Sequence, residues 1–327
     1  MGEAKSGSAL FGAIDAARPR QPRSAVPPTL TLLALQAALV ITWSAGFVGY
    51  RFAAEHAPTF LVTVWRFGLT ALVLLPFTLP ALRSASWAAV GRQALVGVFA
   101  IAACVAPLVK AIEYGVPAGL VALAANLLPL MIAGLTVAFG RRTSGMQWLG
   151  IGLGVLGVAA VVGDGLRLGS APGWAYALPI LGTLALAIAT FIEGRAGGTK
   201  LPVLTALFVQ SSVSVPIFAA LALLEGGIAP VARPDFALSL LWLVLMPTLG
   251  GYGLYWLCLR LGSPESTSGA LCLSPPVTMI WAHAAFGDPL SPTMAVGMAF
   301  SLLGLLCLNH AGQSSAANGK SSRTDRL

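Results

Sequence analysis

Charge is what this chain has least of. Only 9% of its 327 residues are Asp, Glu, Lys or Arg, against about 25% in soluble domains. With 57% hydrophobic residues and a mean hydropathy of +0.85, a soluble globular fold is excluded. Metal-binding patterns are missing too. The four cysteines (Cys104, Cys258, Cys272, Cys307) all sit in apolar runs at no ligand spacing, and read as small hydrophobes, with no disulfide, metal or cofactor. No catalytic triad or carboxylate pair is visible, so an enzyme is not expected. Gly150-x-Gly152-x-Gly154 follows no strand, which rules out a nucleotide loop. None of the eleven acids falls mid-span. A proton-coupled exporter of cationic drugs would be expected to bury one. The net charge of +8 comes from loops and tails, so nucleic acid is not implied. Residues 1–28 place Arg18, Arg20 and Arg23 after their short apolar patch, the reverse of a signal peptide. They read as a disordered tail, as do 311–327.

Apolar runs make up what remains. A membrane-spanning helix needs about 20 mainly apolar residues. Ten stretches qualify, roughly 29–50, 58–80, 93–114, 117–139, 146–163, 174–193, 202–224, 237–261, 265–286 and 292–310. The connections leave no room for a soluble domain. If the N-terminus is cytoplasmic, fourteen Lys and Arg fall on that side and only Arg51, Arg167 and Arg233 outside, with Arg66 and Lys110 inside spans. The bias predicts both termini in the cytoplasm.

Residues 115–157 recur, without a gap, 147 positions later at 262–304. The ten identities in these 43 positions include Pro117 with Pro264, Pro129 with Pro276, Phe139 with Phe286 and Ser144 with Ser291. Bulk hydrophobicity does not align such residues, so the echo marks one half used twice. Five helices per half is odd, and the second half must then be inverted. The expected fold is all-α integral membrane, with ten transmembrane helices in two inverted five-helix repeats, 29–163 and 174–310. Inverted halves are a hallmark of secondary transporters.

Trp43-Ser44-x-x-Phe47, Arg66-Phe67, and the series of short hairpin, helix with central proline, Phe139-Gly140 and Gln147-Trp148-x-Gly150 resemble the EamA-type branch of the drug/metabolite transporter superfamily. The resemblance covers about 30–310 and implies export of amino acids or other small metabolites. The acid that such repeats usually carry after the glycine ending the fourth helix is Asp288 in the second copy, but Arg141 in the first.

Several residues are candidates for a substrate site. Arg66 and Lys110 are cations within spans, expensive to place and functional by default, although both could snorkel outward and Glu113 could pair with Lys110. If they face a cavity, they favour an anionic substrate. Trp43, Ser44 and Phe47 share one helix face, and Tyr252, Tyr255 and Trp256 share another, near Pro247 and Gly250, Gly251 and Gly253. Such aromatic faces suit a pocket or plain packing. Asn126 and His283 are isolated polar residues expected deep in their helices, as substrate contacts or inter-helix bonds, and His283 could titrate near neutrality. Gln210 reads as structural. Pro129 and Pro276 should kink equivalent helices and could serve as hinges.

The reading is a secondary transporter in a bacterial inner membrane. It exports a small, carboxylate-bearing metabolite by alternating access, as a monomer or homodimer partnered only by substrate and lipid. The alternatives are an importer or exchanger of phosphorylated or nucleotide-like metabolites, and a lipid scramblase or membrane enzyme.

Overall fold

A computed structural model describes residues 29–138, 145–168, 171–195, 201–262, 264–288, 290, 292–300, 302–304 and 307. The tails 1–28 and 311–327 and the turn bearing Arg141 and Arg142 lie outside the described residues. All regular structure described is helical. The helices are α1 (Thr29–Ala54), α2 (Thr59–Arg83), α3 (Trp87–Glu113, by way of a π segment at Val98–Ala102), α4 (Ala118–Ala125) and α5 (Leu128–Ala138). They continue with α6 (Gly145–Leu168), α7 (Leu178–Gly194), α8 (Val203–Leu224) and α9 (Pro234–Leu261, with a π segment at Val244–Tyr252). Then come α10 (Pro264–Leu271), α11 (Ser274–Phe286) and α12 (292–300).

Local sequence sets the ends. Pro58, Pro117 and Pro202 stand just before helices, where a missing N–H costs nothing. The Ser86 hydroxyl accepts the Ala89 N–H at 3.3 Å, capping α3. Gly287, at φ 71°, takes the left-handed cap that ends α11.

Seven helices among the described residues are long and apolar enough to cross a membrane: Leu30–Ala54, Thr59–Arg83, Trp87–Glu113, Ala118–Leu135, Gly173–Gly194, Val203–Leu224 and Pro234–Leu261. Ten such spans are therefore not seen. The stretch 265–286 is broken by a turn, as Ala118–Leu135 is, but its first piece opens on the polar run Pro264–Ser268. The stretches 146–163 and 292–310 include residues outside the description.

Antiparallel packing gives the bundle two ends. Thr29, Arg83, Glu193, Leu201 and Arg260 mark the near end, and Glu55, Thr59, Glu113, Glu225 and Asp288 the far end. At the far end Lys110 reaches Glu113 at 2.9 Å and Glu225 at 2.5 Å, while Glu113 accepts from the Thr59 N–H and hydroxyl. At the near end Arg260 donates to the Leu201 carbonyl. Phe67 stacks on Phe218 at 5.8 Å in the core between α2 and α8. Leucines and phenylalanines such as Leu72, Phe77 and Leu224 point outward, as lipid contact requires.

The 147-position shift also holds for helix irregularities. Shifted so, α3 covers 234–260, where α9 lies, and its π segment covers 245–249, inside the π segment of α9. The break between α4 and α5, at 126–127, falls beside the break between α10 and α11, at 272–273.

Candidate functional site

Prolines shape the site by what they cannot donate. Pro276 has no N–H for the Cys272 carbonyl one turn earlier, and Asn126 Nδ2 donates to that carbonyl at 3.3 Å. The break of one half is thus held by a side chain from the break of the other. Ser44 of α1 closes the arrangement, contacting the Ser274 carbonyl at 3.1 Å and its hydroxyl at 2.9 Å.

Pro247 acts likewise in α9. It has no N–H for the Leu243 carbonyl one turn earlier, and that carbonyl accepts the Thr248 hydroxyl at 2.8 Å. Having given its proton there, Thr248 Oγ1 accepts from Arg66 Nε at 2.7 Å. Arg66 is 2% exposed, with its guanidinium carbon 5.2 Å from the Tyr50 ring and 4.7 Å from Phe67. It forms no ion pair among the described residues.

Two cavities share Trp43, Phe47, Cys104 and Leu108 as walls. One, of about 30 Å³, reaches Asn126, Thr183 and Ser274 at the helix breaks. The other, of about 60 Å³, reaches Tyr50, Arg66, Pro247 and Tyr252 and extends toward the far end at Ile112. Trp43 stands between them, its ring 5.3 Å from Tyr252 and 5.4 Å from Tyr255. The Tyr252 hydroxyl donates to the Ala100 carbonyl at 2.7 Å, joining the two π segments. The walls are aromatic and aliphatic with a few aimed polar groups, as in sites for small molecules.

Of the sequence candidates, Trp43, Phe47, Arg66, Asn126 and Tyr252 line these cavities. Ser44 is buried against Ser274 and faces neither. Trp256 donates to Gln210 at 3.1 Å. Lys110 lines neither cavity, and its two carboxylate partners absorb its charge at the far end. His283, expected deep, is exposed, because α11 ends three residues later and places it in the last turn. Its Nδ1 lies 2.9 Å from the Asp288 carbonyl. Pro129 and Pro276 do interrupt their helices, at breaks a few residues upstream. Gly250 serves close approach: a Cβ there would stand 2.8 Å from Thr42 Cγ2. Tyr50, Cys104, Thr183 and Thr248 were missed. Only Thr248, a hydroxyl directly after an intrahelical proline, carried a local signal.

Asp288 lies outside the spans, against α1 and the start of α4. Burial pushes its carboxyl up, opposed by Arg51 and the Ala118 N–H, while Glu55 adds to the rise. Its Oδ2 is buried without a hydrogen bond. A carboxyl raised on folding favours the native state at low pH, and this contribution is lost as pH climbs past its folded value. Asp288→Asn should therefore flatten the decline in thermal midpoint that sets in above the usual carboxylate range. Unfolding scans of the purified protein at stepped pH check this, and an unchanged slope counts against it.

The profile of the EamA-like transporter family matches residues 30–163 and 173–310. The chain is 24% identical over 262 residues to the uncharacterized inner membrane transporter YedA of Escherichia coli K12, covering 78% of this chain and 82% of that protein. It matches YedA of two other strains, O6:H1 and O157:H7, equally. A solved crystal structure superposes with a TM-score of 0.61 at 17% identity, over 88% of this chain and 99% of that one, a likeness of fold alone.

Proposed function

The chain belongs to the EamA-like transporter family, and we propose that this multi-pass membrane transporter exports a small carboxylate-bearing solute, such as an amino acid, by alternating access. The observation that carries the reading is Arg66. A guanidinium withdrawn from water normally has an acid beside it, and among the described residues this one has none. It stands instead on a cavity wall, aimed through Nε by Thr248, and its terminal nitrogens offer a planar fork suited to a carboxylate. Trp43, Phe47 and Tyr252 supply apolar surface for the rest of the solute, and Asn126 a polar contact at the helix breaks.

Lys110 favours a carboxylate over a phosphorylated metabolite. Its charge is matched by Glu113 and Glu225, which leaves Arg66, of the two cations within spans, to meet the substrate, and one carboxylate balances it. The 147-position echo in sequence, helix breaks and π segments supports two halves of opposite orientation. The Lys and Arg bias supports cytoplasmic termini.

Efflux from proteoliposomes loaded in turn with each member of an amino-acid panel tests the proposal. One or more should leave several-fold faster than from protein-free vesicles, whereas the protein should not speed the exit of the matching methyl esters, which cross the bilayer unaided, and the esters should not compete. Equal protein-dependent efflux of acids and esters, or none of either, would overturn it.

A further inference from the structure

A buried carboxylate does exist, at the near end. Glu193, in the last turn of α7, is 9% exposed, and its Oε2 accepts from Gln93 Nε2 of α3 at 2.7 Å. Gln93 Oε1 accepts in turn from Gln210 Nε2 of α8 at 2.8 Å, and Gln210 Oε1 from the Trp256 indole N–H of α9 at 3.1 Å. All three partners are buried. Every donor in this chain points toward the carboxylate, and the chain crosses four helices. Glu193 forms no ion pair among the described residues. Of the charged groups around it, Arg260 on α9 feels its charge while donating to Leu201. Arg92 neighbours Gln93 on α3, and Arg195, two residues after Glu193, lies over Phe191 at 4.2 Å.

The other end of the chain meets the cavity. Trp256 packs on Tyr255 at 5.0 Å and Tyr255 on Trp43 at 5.4 Å. The cavity extends toward the far end, so the closed side of the pathway is the one these hydrogen bonds cross.

We propose that Glu193 is a proton-binding site whose ionised form holds the near end shut. The carboxylate ends a row of aligned dipoles that polarise one another. When it takes a proton from near-end water, the carboxylic acid no longer anchors that row as an anion. The tie among α3, α7, α8 and α9 weakens, and the cavity can open toward that end. The residual exposure gives the proton its access. This step rests on the transport reading.

Neither test requires a transported solute, so failure here leaves the export reading standing, and the reverse. The infrared difference between the lipid-reconstituted native chain and Glu193→Gln should show one carboxyl C=O component that grows as pH falls. In a variant keeping Cys258 as its sole cysteine, N-ethylmaleimide labelling, relative to unfolded protein at the same pH, should rise about tenfold on acidification. With Glu193→Gln added, labelling should be fast and independent of pH. Should that variant fail to fold, Gln93→Met keeps the carboxylate and breaks its tie, and is expected to label fast before acidification. A carboxyl titration identical in the native chain and Glu193→Gln, or protection of Cys258 indifferent to pH, overturns the proposal.

Discussion

Arg66→Leu is expected to lower efflux of the identified solute by at least about a hundredfold, while the protein stays abundant and monodisperse. Leucine removes the fork that would hold the carboxylate and leaves the rest of the wall in place. The fold should tolerate the change, because an apolar side chain costs little within a span and Thr248 keeps its bond to Leu243. Arg66→Lys separates recognition from mere charge. A lysine retains the cation but cannot give two parallel hydrogen bonds or stack on Tyr50 as a plane. It should therefore lose about tenfold or more, chiefly as weaker apparent binding. Efflux measured on both variants, normalised to folded protein by size-exclusion, decides the matter. Transport by the leucine variant at the native rate would remove Arg66 from the site, and with it the reason to expect an anionic solute.

The largest structural effect should come from Gly97. A Cβ placed there would stand 2.6 Å from the Cα of Gln210 and 2.9 Å from its carbonyl oxygen. Both are backbone atoms, so α3 and α8 would have to separate. Gly97→Ala should cost roughly 1–3 kcal/mol by overpacking, and Gly97→Leu should leave no monodisperse protein. Gly182, whose Cβ would meet the Cys104 carbonyl oxygen at 2.6 Å, should behave the same way. Gly68 is the control. Nothing lies within 4 Å of its added Cβ, and alanine should be neutral or gain up to about 1 kcal/mol from helix propensity. Thermal midpoints in detergent measure all of these. Equal midpoints for Gly97→Ala and Gly68→Ala would contradict the packing described.

Much of this was legible in the sequence because bilayers impose simple rules. Long apolar runs, short turns and the 147-position echo pointed to membrane-crossing helices, and an Arg inside a span pointed to the cavity. What escaped depends on neighbours far along the chain. Glu225 meets Lys110 only because α8 ends beside α3, so the sequence could not discharge that lysine. Glu193 stands at a helix end, where a carboxylate is ordinarily solvated, yet Gln93 and the bundle enclose it. The proline kinks were expected at Pro129 and Pro276, but a proline disturbs the turn before it, and the breaks lie upstream. Each π segment adds a residue to its helix and shifts the helical phase, which no wheel drawn with a 3.6-residue period anticipates.

Those π segments also separate shape from sequence. Residues 98–102 and 245–249 share no residue type at any of the five paired positions, although both stretches bulge. No one side chain is needed to make such a turn. The irregularity belongs to the path of the backbone, and the residues along it are interchangeable.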